Sequence, residues 1–129
     1  MTLTLAPFIA FGDIPFSFSA EDLVAHLGAP HQQSRNSVAL NAYDYGHRVF
    51  RFQDNGRLEE ITQRTPVLQI DSVAIPFPAL AAFVQAQDGE AFERAGFLVS
   101  PRYGIAFVPA EPDWVTALAR HCIPAWQAL

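Results

Sequence analysis

Residues 43–64, YDYGHRVFRFQDNGRLEEITQR, constrain the fold more than any other stretch of the chain. Two runs of strand-forming residues flank Asp54-Asn55-Gly56, a tripeptide that tolerates positive φ and suits a short hairpin loop with a bulge. The period of two puts Arg48, Phe50 and Phe52 on one face and His47, Val49, Arg51 and Gln53 on the other. Arg48 shares the face of the two phenylalanines, as a strand-end charge can when its stem packs and its head reaches water. On the return strand Leu58 and Ile61 lie three apart, which predicts a bulge or a change of face.

Landmarks around this hairpin recur. Ile14-Pro15-Phe16 returns as Ile75-Pro76-Phe77, 61 residues later. Tyr45-Gly46 returns as Tyr103-Gly104 after 58 residues, and the turn 54–56 as Glu111-Pro112-Asp113 after 57. The constant order and nearly constant lag predict a single domain, 1–129, of two tandem strand-helix-three-strand repeats, about 8–64 and 67–122. The expected fold class is α+β, a largely antiparallel sheet with helices on one face.

In the first repeat, residues 3–11 read as a strand or extended arm. A helix follows, capped by Ser19 with Asp22 three residues on. Leu23, Val24 and Leu27 form its buried stripe, and Gly28 and Pro30 stop it. Residues 31–37 read as a polar loop and 38–45 as a strand. Thr65-Pro66 separates the halves. In the second, residues 67–75 read as one strand. Pro76-Phe77-Pro78 opens a helix with Leu80, Phe83 and Val84 inward, fading at Asp88-Gly89. Residues 90–95 read as a helical turn, and 96–99 and 103–108 as strands. Residues 113–121 fit either an Ala-rich helix or a strand, and their place in the repeat favours the strand.

Composition narrows the function classes. Half of the 129 residues are apolar and eleven are Phe, enough for a real core. No apolar run approaches the roughly 20 residues of a membrane span. The start, MTLTLAPFIAFGD, has no basic residue before its apolar part, so a secretory signal is not expected. The single cysteine, Cys122, excludes an internal disulfide and fits a reducing, cytoplasmic compartment. The formal charge is −5 and all eight basic residues are arginines without a basic run, so neither nucleic acid nor membrane is expected as a partner. The acidic excess suits a basic protein partner.

Residue chemistry points away from catalysis, cofactors and metals. His26 and His31 are separated by Gly28 and Pro30 and cannot share a helix face as metal ligands. His121 and Cys122 are neighbours that a strand would send to opposite faces, which does not support a converging Cys–His pair and favours Cys122 as a small buried apolar residue. Glu59 and Glu60, as neighbours on an exposed strand, do not face each other across a cleft as glycosidase acids do. Glu21 and Asp22 complement a helix N-terminus. No phosphate loop, nucleophile elbow or HExxH motif is present. Tyr43, Tyr45, Tyr103 and Trp114 are candidates either for strand packing or for an aromatic recognition surface.

Ile14-Pro15-Phe16, the helix end Leu27-Gly28-Ala29-Pro30, Tyr43-Asp44-Tyr45-Gly46 and Asp54-Asn55-Gly56-Arg57-Leu58 together resemble small bacterial immunity proteins of polymorphic toxin systems. Gly96-Phe97 and Tyr103-Gly104-Ile105-Ala106 extend the resemblance over most of the chain. It implies a non-catalytic protein that neutralises a cognate toxin by direct binding, and carries over no site residues. The helix end also resembles envelope-assembly and inhibitor-like α+β domains, which would bring a lipoprotein cysteine that this start lacks. The candidate partner-binding residues are Asp44, Tyr45, Arg48, Glu59, Glu60, Arg102 and Tyr103. Two other classes remain open. One is a small-ligand module or enzyme with a groove between the repeats at Tyr45, Arg48, Arg102 and Tyr103, and the other is a structural homodimer.

Overall fold

A computed structural model of the chain describes residues 2–35 and 40–129. The first half runs β1 (Thr2–Ala6), β2 (Ala10–Phe11), β3 (Ile14–Pro15), α1 (Ala20–Leu27), β4 (Gln32–Arg35), β5 (Asn41–Asp44), β6 (Arg48–Phe52) and β7 (Leu58–Arg64). The second runs β8 (Val67–Ile70), β9 (Val73–Pro76), α2 (Phe77–Gln87), β10 (Phe92–Arg94), β11 (Phe97–Ser100), β12 (Ile105–Phe107) and β13 (Trp114–Leu118). A 3₁₀ turn, Arg120–Cys122, and a short helix, α3 (Ile123–Gln127), follow. The fold is α+β with two mostly antiparallel sheets. The smaller has the order β3-β2-β1-β8-β9 and the larger β10-β11-β12-β13-β7-β6-β5-β4. Among the described residues, β1 and β8 form the one parallel pair.

The central hairpin forms as the alternation requires. Gly56 takes φ 87°, its amide bonds to the Gln53 carbonyl at 2.9 Å, and the Gln53 amide bonds back to Arg57. The ladder shifts register between Arg51 and Phe52, so Phe52 faces Leu58 while Arg51 faces Glu60. Glu59 is the extra residue of a bulge, which explains the three-residue spacing of Leu58 and Ile61. Phe50 and Phe52 are buried inward. Arg48 lies over the Phe50 ring and pairs with Asp13 at 2.9 Å.

One large core joins both sheets and two helices. Phe50, Phe52, Ile61, Ile105, Phe107 and Val115 of the large sheet meet Leu5, Phe11, Leu68 and Ile70 of the small one and Leu23, Leu80 and Val84 of α1 and α2. Each such side chain contributes about 1.5–3 kcal/mol on burial. The opposite face of the large sheet carries a second cluster, in which Val99, Ala106, Leu118 and Cys122 pack against Ile123 and Trp126. Helices therefore lie on both faces, because α3 turns back over the side away from α1 and α2.

Several expectations change. Four strands of the large sheet, rather than three, follow each of α1 and α2. Residues 3–11 are not one strand, since Phe8 takes φ 66° and the chain reverses into β2. Residues 67–75 are likewise a hairpin, broken at Asp71 with φ 55°. In 31–37, Gln32–Arg35 is an edge strand rather than a loop, and its four exposed side chains left no apolar period to read. The expected strand 38–45 survives as β5, while residues 36–39 lie outside the described residues. Residues 90–95 are no helical turn, for Phe92–Arg94 pairs with β11. On α1 the capping box forms, yet only Leu23 is buried and Val24 is 37% exposed. Within 113–121, residues 114–118 form the favoured strand and the rest turns into the 3₁₀ segment.

Candidate functional site

The outer face of the large sheet holds a groove of about 700 Å³ at the seam where β7 meets β13. Val49 and Arg51, outward residues of β6, and Gln53 just beyond it form one side. Thr62 and Thr116 form its floor, directly paired across the seam with hydroxyl oxygens 2.8 Å apart. Phe97, Trp114 and Trp126 supply aromatic walls, the last from α3.

The bulge turns the sequence Glu59-Glu60 into a site. In a regular strand the two would face opposite ways, but here both line the groove. They are also not exposed: Glu59 is only 2% accessible. Burial raises the Glu60 pKa above its usual value, an effect opposed by the Arg51 guanidinium 3.7 Å away and by the Trp126 indole hydrogen bond. Arg51 also donates to the Thr62 hydroxyl at 2.8 Å, which fixes its head over the floor.

The 3₁₀ turn completes the far end. The Ala119 amide donates to the Glu59 carbonyl, and the Cys122 amide to the Ala119 carbonyl, both at 2.9 Å. This folds His121 and Cys122 onto Glu59 instead of sending them to opposite faces of a strand. His121 Nε2 bonds Oε2 of Glu59, and the Cys122 thiol donates to the same oxygen at 3.0 Å. Arg57 Nε donates to Oε1 at 3.2 Å. Burial pushes the Cys122 thiol far above its usual pKa, reinforced by the hydrogen bond to Glu59 and the charges of Glu59 and Glu60. Such a thiol stays protonated and makes a poor nucleophile. The site sets the acidic side chains of Glu60 and Glu111 beside aromatic walls, an arrangement that can hold a positively charged group.

The seven candidate residues separate. Glu59 and Glu60 enter the groove, while none of Asp44, Tyr45, Arg48, Arg102 and Tyr103 lines it. Asp44 accepts the Gly46 amide at 2.7 Å and shapes the turn before β6. Tyr45 is buried, with its hydroxyl on the Gly28 carbonyl at 2.9 Å. Arg102 caps the Gln87 carbonyl at 2.6 Å and lies over the buried Tyr103 ring. Sequence reasoning set His121 and Cys122 aside as strand neighbours, placed Arg51 on a strand face without a role, and missed Trp126. One signal for α3 was present: Ile-Pro precedes α1 and α2 and occurs again as Ile123-Pro124.

Comparison of the chain with protein-family models, with curated proteins and with solved structures found no match.

Proposed function

We propose that this chain is a non-catalytic binding protein of the immunity type, which holds a basic segment of a cognate protein toxin in the groove on its outer sheet face. The single observation that carries the reading is the groove itself. Three acidic side chains, Glu59, Glu60 and Glu111, lie with Arg51 among Phe97, Trp114 and Trp126. An arginine or lysine of a partner would gain charge attraction from Glu60 and Glu111 and cation–π contact from the indoles. Arg64 already lies over the Trp114 ring, with 5.5 Å from its guanidinium carbon to the ring centroid. His121 and Cys122 are both turned to the Glu59 carboxylate rather than to each other, which supports a role without covalent chemistry.

Calorimetric titration of the purified chain with an active toxin candidate tests this. Tight binding with inhibition is expected. Glu60→Arg and Trp126→Ala should each weaken it at least about tenfold, the size of a central interface residue, and Arg102→Ala should leave it unchanged. Binding unaffected by both groove variants would refute the assignment of the surface. A toxin neither bound nor inhibited would refute that pairing. A small molecule is the second reading, supported by a volume within the roughly 300–1,000 Å³ range of ligand sites; ligand-dependent thermal stabilisation would select it.

We further propose that the halves are duplicated units. The order β4-β5-β6-β7 on one side of the seam is matched by β10-β11-β12-β13 on the other. The recurring landmarks support this: Ile-Pro precedes each long helix, Tyr-Gly precedes β6 and β12, and the third motif links β6 to β7 and β12 to β13. An experimental structure in which residues 14–64 and 75–118 fail to superimpose would refute it.

A further inference from the structure

Glu59, His121 and Cys122 bring a carboxylate oxygen, an imidazole nitrogen and a thiol sulfur within 4.8 Å of one another. No other group of three or more such donors is found among the described residues. These are the three donor types that zinc takes from proteins. They belong to two segments brought together by folding, His121 lying 62 positions after Glu59. Each is set by backbone geometry: the bulge turns Glu59 toward the groove, and the 3₁₀ turn aims His121 and Cys122 at it.

The chemistry of the cluster fits a cation better than it fits packing. Glu59 is almost wholly buried, yet its one arginine partner, Arg57, is half exposed and reaches only Oε1. The other oxygen, Oε2, meets both the imidazole and the thiol. A thiol is a weak hydrogen-bond donor and a poor way to satisfy a buried carboxylate. As a thiolate it is a strong, soft metal ligand. We propose that Glu59, His121 and Cys122 bind one zinc ion at the end of the groove.

A carboxylate, a thiolate and a neutral imidazole together balance the charge of a divalent ion. On binding, the sulfur–zinc bond replaces the sulfur–hydrogen bond and the proton leaves to solvent. Arg57 on Oε1 is the outer partner that holds the carboxylate in place. The thiol favours zinc over magnesium or calcium, which take oxygen donors. Three protein donors leave the fourth position of a tetrahedral ion to water or to an occupant of the groove, which all three residues line.

The test uses the full chain, stripped with a chelator and titrated with zinc against a chromophoric competitor, then with cobalt(II) as a spectroscopic substitute. One equivalent of zinc is expected. Cobalt should give the intense visible bands of four-coordination and a near-ultraviolet sulfur-to-cobalt band. Cys122→Ser should abolish the sulfur band, and His121→Ala, at a partly exposed position, should weaken zinc binding at least about tenfold. Circular dichroism confirms that each variant is folded. Zinc retained equally by a His121→Ala/Cys122→Ser double variant would overturn the site, as would a weak six-coordinate cobalt spectrum without the sulfur band. No toxin enters this experiment, so its failure and that of the binding reading are separable.

Discussion

Gly104 and Gly56 show how one residue type carries two different constraints. Both hold positive φ, 63° and 87°. At Gly56 an added Cβ would meet nothing within 4 Å, so Gly56→Ala should cost only the left-handed backbone penalty, about 1–2 kcal/mol. At Gly104 the same atom would lie 2.6 Å from the Phe8 ring, whose other contacts include the Arg120 guanidinium carbon 4.0 Å from its centroid. Gly104→Ala should therefore lose at least about 1 kcal/mol more than Gly56→Ala in denaturant titrations. Equal losses would show that the ring moves freely. Asp88 sets the acid response. Burial favours its neutral form, but Ser100 Oγ at 2.7 Å and the amides of Arg102 and Glu90 outweigh it and hold its pKa below the usual value. A lowered folded pKa gives stability that is present above the unfolded carboxylate value and lost as pH falls through the folded one. Asp88→Asn should cost about 1.5–3 kcal/mol at neutral pH. Its deficit against the parent in thermal melts should shrink as pH drops below 3.8, the unshifted carboxylate value.

The helices and strands divide into those whose signals were local and those whose signals were not. The hairpin of β6 and β7 was legible because alternation, Asn-Gly and the Leu58–Ile61 spacing all describe backbone within one short stretch. The Ser19 cap was legible for the same reason. The stripe of α1 was legible at Leu23 and Leu27, which meet the core, but not at its edge, because how wide a face a helix buries depends on what packs there. Leu23 is fully buried while Val24 is 37% exposed. Leu23→Ala should cost about 2–5 kcal/mol, whereas Val24→Ala should change stability by no more than about 0.5 kcal/mol; comparable losses in the two would contradict the packing described. The edge strand β4 hid behind four polar side chains, since its ladder is made by backbone that composition does not report. The groove escaped for a related reason. Glu59, Glu60, His121 and Cys122 were judged as neighbours on straight strands, and a bulge in one segment with a 3₁₀ turn in the other rotates all four toward one another.

The molecule as a whole is organised by the seam. β7 and β13 are the two central strands of the large sheet, with the edge β4 three strands beyond β7 and the edge β10 three strands beyond β13. Ile61 from β7 and Val115 and Ala117 from β13 stand in the same core cluster as the small sheet and both long helices. Opening this pair exposes the core of both halves, whereas β4 can detach by breaking one ladder and the exposed ion pair of Arg35 with Asp54, its side chains already in water. Hydrogen exchange should therefore be graded. Ladder amides of β7 and β13 should exchange only by global unfolding, with a common free energy, and those of β4 should open at a small fraction of it. The shared core also requires calorimetry to give one transition whose van't Hoff and calorimetric enthalpies agree. If one half exchanged independently of the other, the seam would be a docking surface between separately stable units. The groove that spans Thr62 and Thr116 would then move as those units part, and a partner bound there would protect the amides of both β7 and β13.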